Sequence, residues 1–184
     1  MKQEVEIKYI IKNPRKVQNS LDKKANFVGE VWQKDEWFSL KHKDFFNKIP
    51  AGEGIRVRHQ KNKNSIAYFY FNPDVDGNIK IDEYETSVGK SHIISEIFKK
   101  LDMYVRVTVT KNRRLYNHSD FNICLDHIKE LGWFIEIEAK KVDQNIPDLH
   151  HKMQGLIKEF GVDGKNLTEK GGYPDLIINK ELLK

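Results

Sequence analysis

One cysteine, no long apolar run and no glycine-rich phosphate loop: each shortage in this 184-residue sequence removes a class of explanation. Cys124 has no partner in the sequence, so no intramolecular disulfide can form, and the chain suits a reducing compartment. In the middle of the apolar run Phe121–Leu125 it reads as a small core residue. No stretch approaches the ~20 apolar residues of a membrane helix, and no signal peptide is recognisable. The expected location is the cytoplasm, with no membrane partner. No basic run is long enough to read as a nucleic-acid tail, which argues against nucleic acid as a partner. Gly89-Lys90-Ser91 ends like a P-loop, but Tyr84 stands where the first glycine is required. A dinucleotide glycine fingerprint, a Cys/His zinc spacing and a Ser–His–Asp nucleophile all lack support. The histidines are scattered and read as surface residues.

What is present is charge in pairs. The N-terminal stretch alternates Val5, Ile7, Tyr9 and Ile11 with Glu4, Glu6 and Lys8, a strand with one apolar and one charged face. Alone, that pattern fits any half-buried strand. Like charges two residues apart then recur as Arg56/Arg58, Glu83/Glu85, Lys111/Arg113 and Glu136/Glu138. Residues i and i+2 of a strand share a side, roughly 6.5–7 Å apart, so such pairs repel unless something of opposite charge faces them. Acidic pairs suit a divalent cation such as Mg²⁺, and basic pairs suit phosphate oxygens. Both together suit a metal–polyphosphate complex. The net charge of +5 mildly favours an anionic partner, and equally fits a lysine-rich surface tuned for solubility.

Hydrophobic residues at 39% and charged ones at 32% describe a globular chain, read as a single domain over 1–184. Asn13-Pro14 opens a short helix with Val17, Leu21 and Ala25 inward. Phe27 to Leu40 is extended, with Trp32, Trp37 and Phe38 as large anchors. Residues 41–53 form a loop that Phe45-Phe46 either pin to the surface, the weightier reading, or fold over a site as a lid. Strands follow at 54–60, 65–71 and 80–88, the last two joined by a turn at Asp74–Asn78. Ser91 is expected to cap a helix with Ile93, Ile94, Ile97, Phe98 and Leu101 on one side. Strands at 105–116, 121–128 and 133–140 come next, then a helix from Pro147 ending at Gly161. Roughly eight strands in mostly antiparallel succession with three or four helices give the class α+β. An open sheet would turn the charged faces to water, whereas a sheet closed on itself would enclose them under helices.

Glu4-x-Glu6-x-Lys8, followed in order by GIRVR, DEYET, TKNRRLY and LDHIKELGWFIEIE, resembles the CYTH family, the triphosphate tunnel metalloenzymes. Gly172-Tyr173-Pro174-Asp175-Leu176 looks like its C-terminal aromatic–leucine segment, and residues 35–58 are most like the class IV adenylyl cyclase branch. The resemblance implies a closed, mostly antiparallel eight-stranded β-barrel, its charged lumen a tunnel for a triphosphate, with flanking helices. Carried over by position, Glu4, Glu6, Asp126, Glu136 and Glu138 would ligate Mg²⁺ or Mn²⁺. Lys8, Arg56, Arg58, Lys111 and Arg113 would hold phosphates and act in catalysis, and Glu83 and Glu85 would line the substrate site. Arg114, of opposite strand parity to Arg113, stays outside the set. The implied activity is conversion of ATP to cyclic AMP and pyrophosphate. Hydrolysis of inorganic, thiamine or nucleoside triphosphate, or binding with little turnover, are the alternatives, and a homodimer is left open. One departure is Phe71-Asn72, where the family usually carries a lysine, and Lys63 and Lys80 are the candidate substitutes.

Overall fold

The computed structural model describes residues 2–73, 79–142 and 145–183. The turn at Asp74–Asn78 lies outside them, as do the side chains of Phe71, Asn72 and Lys80. Nine strand segments are hydrogen-bonded in one order, β1-β6-β5-β4-β3-β7-β8-β9-β2. In chain order these are β1 (Lys2–Glu4), β2 (Glu6–Ile11), β3 (Asn26–Leu40), β4 (Glu53–His59) and β5 (Ser65–Pro73). Then come β6 (Ile79–Ser87), β7 (Met103–His118), β8 (Phe121–Ile128) and β9 (Gly132–Ala139). The helices are α1 (Pro14–Lys24), α2 (Ser91–Lys100), α3 (Ile146–Glu159) and α4 (Tyr173–Ile178). The ladders β2–β9, β3–β4, β4–β5, β5–β6 and β8–β9 are antiparallel, so the class is α+β with a dominant antiparallel sheet. The chain divides into two compact units, and β3 and β7 contribute residues to both.

In the unit formed by residues 4–31 and 112–168, the period-two pattern does what its geometry demands. Val5, Ile7, Tyr9 and Ile11 of β2 are buried in one cluster with Ile123 and Leu125 of β8 and Ile135 and Ile137 of β9. Val17 and Leu21 of α1, Leu149 and Met153 of α3 and Phe160, the residue after it, cover the cluster. Asn13 caps α1 by accepting from the Lys16 N–H at 3.3 Å, and Gly161 ends α3 with φ of 67°. Cys124 corrects the sequence reading. It is buried, but its strand parity places it beside Asn122 and Asp126 on the charged face, opposite Glu136, rather than in the apolar core.

Among the described residues the sheet is not closed by hydrogen bonds, and β2 shows where its second edge goes. The Leu167 N–H donates to Lys8 O at 2.8 Å, the Ile10 N–H to Lys165 O at 3.1 Å, and the Lys8 N–H to Thr168 Oγ1 at 3.0 Å. A Cβ on Gly164 would lie 1.5 Å from Ile10 O, so only glycine lets the backbone pass this close. Residues 165–168 thus satisfy the edge that would otherwise be open.

In the other unit, Phe38, Val57 and Met103 form a small core against Ile94 and Phe98 of α2. Two expectations fail here. Trp32, expected as an anchor, is half exposed. The face of α2 is also rotated from the expected one: Ile93, Ile97 and Leu101 are exposed, while Ser91 and Ser95 turn inward. The reason is polar. Ser95 Oγ donates to Glu36 Oε2 at 2.6 Å, and Ser91 Oγ lies 2.8 Å from His59 Nδ1, whose Nε2 is 3.0 Å from Glu36 Oε2. Ser91 therefore clasps the sheet; it does not cap the helix, which starts with no side-chain cap. The loop at 41–53 is pinned. Phe45 and Phe46 are buried, Phe46 meets Trp37 edge-on at 6.3 Å, and the Ala51 N–H donates to Asp175 Oδ1 at 2.9 Å.

Candidate functional site

The sequence-predicted residues fall into two groups, one on each unit. On the first, β2 and β9 pair so that Glu6 stands directly opposite Glu138, and Lys8 opposite Glu136. Directly opposed like charges destabilise a sheet unless a third charge intervenes. Lys8, 4% exposed, places its Nζ 3.4 Å from Glu6 Oε1 and 3.3 Å from Glu136 Oε1. Burial pulls the Lys8 ammonium down, but Glu6 and Glu136 outweigh it and raise it above its ordinary value. Arg113 donates from Nε to Asp126 Oδ1 at 2.7 Å and from Nη2 to Oδ2 at 2.6 Å, and its Nη2 also reaches Glu136 Oε2. Asp126 is fully buried beneath that fork.

The Glu6 carboxyl is raised from its ordinary value. Burial raises it, Lys8 lowers it, and Glu136, Glu4 and Glu138 raise it further, to about 7. Among the described residues no three His, Cys, Asp or Glu side chains are gathered closely enough to hold an ion as they stand. Carboxylate oxygens are the ligand type that a hard divalent cation takes, and Glu6 and Glu138 face each other across this ladder.

On the other unit, Arg56 and Arg58 of β4 project to one side. Arg58 forms a two-pronged pair with Asp35, Nε to Oδ1 at 2.7 Å and Nη2 to Oδ2 at 2.8 Å. Lys111 Nζ is 3.7 Å from Asp35 Oδ2, with the Tyr173 ring centre 5.0 Å away. Arg56 Nη2 donates to Glu85 Oε1 at 2.8 Å and Glu83 Oε1 at 3.3 Å. Burial alone would raise the Asp35 carboxyl, yet Arg58, Lys111 and Arg56 hold it well below the usual carboxylate range. Arg56 is itself lowered, by burial and by the like charge of Arg58. Among the described residues, three buried side-chain polar atoms lack a hydrogen-bond partner: Gln33 Oε1, Trp37 Nε1 and Arg56 Nε.

Sequence reasoning missed Asp35 as a member of this set. Its signal was parity, since Asp35 shares a face with Gln33 and Trp37 and lies opposite Arg58 in register. Arg114 does lie apart, bonded to Glu30 Oε2 at 3.0 Å and packed over Phe27 at 4.6 Å. Lys63 is exposed.

A model of the CYTH domain matches residues 2–171, a span containing every one of these charged groups. The chain belongs to the CYTH family. A Methanocaldococcus jannaschii protein named "Putative adenylate cyclase MJ0240" is 28% identical over 170 residues, covering 91% of this chain and 94% of its own. The Pyrococcus horikoshii protein PH1819 shares the fold with a TM-score of 0.81 at 24% identity, covering 96% of this chain and 99% of the other. So does HpAC1 of Hippeastrum, TM-score 0.68 at 13% identity, covering 98% and 96%; its structure is presented as that of a "putative adenylyl cyclase" with dominant triphosphatase activity. Among the described residues of this CYTH protein, no helix is long and apolar enough to cross a membrane.

Proposed function

We propose that this CYTH protein is a metal-dependent enzyme acting on a triphosphate, most like a class IV adenylyl cyclase making cyclic AMP and pyrophosphate from ATP. The observation that carries the reading is the division of charge, one face rich in carboxylates around Lys8 and Arg113 and one with buried, carboxylate-braced guanidinium groups. Glu4, Glu6, Glu136 and Glu138, with Asp126, would hold Mg²⁺ or Mn²⁺, which when bound neutralises phosphate charge and orients the nucleophile. Arg58 is held rigid by Asp35, so its guanidinium loses little freedom on meeting a phosphate oxygen. Arg56, Lys111, Lys8 and Arg113 supply further donors for charge developing on the phosphoryl oxygens. Glu83 and Glu85 orient Arg56. Closure of the sheet into a tunnel belongs to the same proposal. Its support is that the strand order begins with β1 and ends with β2, segments separated in the chain by Val5 alone.

The second reading is triphosphate hydrolysis, favoured by the activity named for the Hippeastrum protein of the same fold. The two part at the nucleophile, a ribose 3′-hydroxyl at the α-phosphorus or water at the terminal one. Incubation with ATP, inorganic triphosphate or thiamine triphosphate, with Mg²⁺ or Mn²⁺, tests both. Cyclic AMP with pyrophosphate supports the cyclase, and orthophosphate the hydrolase. Binding without product leaves only a triphosphate-binding protein.

A further inference from the structure

We propose that the indole N–H of Trp37 and the Nε–H of Arg56 are the two donors of an oxyanion subsite, which takes one phosphoryl oxygen of the substrate. The inference rests on the triphosphate reading and adds Trp37, which that reading does not use. Trp37 of β3 stands directly opposite Arg56 of β4 in register, and each is 8% exposed. Neither N–H has an acceptor among the described residues.

Packing keeps these donors from turning to find one. The Trp37 ring lies 5.2 Å from Phe69 and 6.3 Å edge-on from Phe46. It also lies over Gly54, where a Cβ would come within 3.0 Å of Trp37 Cζ3. The guanidinium is held by Glu83 and Glu85 through Nη2, and its carbon sits 4.7 Å from the Phe69 ring centre. A buried N–H without an acceptor is costly, and native structures retain one mainly where a water, an ion or a ligand supplies it. Elsewhere on this face an incoming oxygen must compete with a carboxylate, as at Arg58, which Asp35 already grips. At Trp37 and Arg56 Nε it gains bonds without breaking an ion pair, inside aromatic walls that strengthen them. An oxyanion accepts from a neutral and a cationic donor at once, and its charge strengthens the bond to the guanidinium.

The rival occupant is a fixed water. Calorimetric titration of the wild type, Trp37→Phe and Arg58→Ala with inorganic tripolyphosphate and Mg²⁺ separates the cases, with the Trp37 indole ¹H–¹⁵N resonance followed in the wild type. The proposal expects Trp37→Phe to weaken binding roughly 10- to 100-fold. It expects the indole resonance to shift on saturation, while the exposed Trp32 resonance stays in place. Weakened binding in Arg58→Ala, with Trp37→Phe like the wild type and a stationary Trp37 resonance, overturns the subsite and leaves the triphosphate reading standing. A wild type that does not bind tripolyphosphate overturns both. If Trp37→Phe folds too poorly to titrate, the wild-type resonance decides alone, and no shift at saturation overturns the proposal.

Discussion

The two charged faces use the same strand alternation and differ in how their charge is matched. On one, Asp35, Glu83 and Glu85 stand with Arg56, Arg58 and Lys111, acid for base. On the other, Glu4, Glu6, Asp126, Glu136 and Glu138 stand with Lys8 and Arg113. On the matched face, Asp35 and Glu85 are both held below the usual carboxylate range against the effect of burial, Asp35 by Arg58 and Glu85 by Ser65 and Arg56. On the mismatched face burial, with the neighbouring carboxylates acting against Lys8, pushes Glu6 up to about 7. Matched charge is preorganised, whereas surplus carboxylate is a demand for a cation. The comparison breaks if the two faces respond alike to mutation, to pH or to metal.

The largest difference belongs to turnover. Glu136 stands opposite Lys8 and also receives Arg113, so it lies at the centre of the acid-rich face. We expect Glu136→Ala to lower metal-dependent triphosphate turnover by at least about 10²-fold, the scale of losing a charge-stabilising group. Glu4→Ala should act in the same direction. Product formation at wild-type rate in both variants removes the acid-rich face from the chemistry.

Next in size is stability on the matched face. Asp35 is 2% exposed and grips Arg58 with Lys111 close by, so Asp35→Ala leaves buried cations without their counter-charge. Urea unfolding should show a loss of about 3–5 kcal/mol, and a loss below about 1 kcal/mol would mean that water reaches this site freely.

Asp35 also marks the limit of what was legible beforehand. The faces of β2, β4 and β9 could be read because pleating alone decides which side each residue takes. Parity puts Asp35 and Glu36 on opposite sides of β3, but nothing local says that Arg58 awaits one and Ser95 the other. For the same reason the inward face of α2 was misread. Its isoleucines make the stronger apolar stripe, yet His59 and Glu36, distant in sequence, hold Ser91 and Ser95 inward. The cover over the β2 edge at 165–168 has no period at all, and it forms through backbone groups that every residue carries. The charged site was therefore legible in its membership, and its pairing was not.

The pH dependence of unfolding sharpens the comparison, because the two faces titrate in different windows. Glu6 binds its proton more tightly folded (about 7) than at its ordinary 4.5. Stability from this group is therefore full below about 4.5, declines as pH rises and is gone above about 7. Asp35 runs the other way: its contribution is present above its ordinary 3.8 and falls away as pH drops below that value. In chelator, we expect Glu6→Gln to abolish a loss on the order of 1–3 kcal/mol between pH 5 and 8. Adding Mg²⁺ to the wild type should restore stability most at the alkaline end, where ligation no longer displaces a proton. A wild type and Glu6→Gln with parallel stability curves would show that the surplus charge is already neutralised.

The smallest effect comes from Glu85, and it tests how far matching depends on burial. Its side chain is 35% exposed, against 7% for Glu83, although Glu85 makes the shorter contact with Arg56, 2.8 Å against 3.3 Å. If distance governed, Glu85 would be the more important partner. Solvent should reverse that order, because screening leaves an exposed pair worth about 0–1 kcal/mol while a buried one cannot be broken cheaply. Glu85 also accepts from Ser65 Oγ at 2.7 Å, and glutamine can keep that bond through its carbonyl oxygen. Glu85→Gln should therefore cost under about 1 kcal/mol in urea unfolding, and Glu83→Gln clearly more. Equal losses would mean that the matched face is wetter than its burial implies, and the contrast between the two faces would then rest on charge count alone.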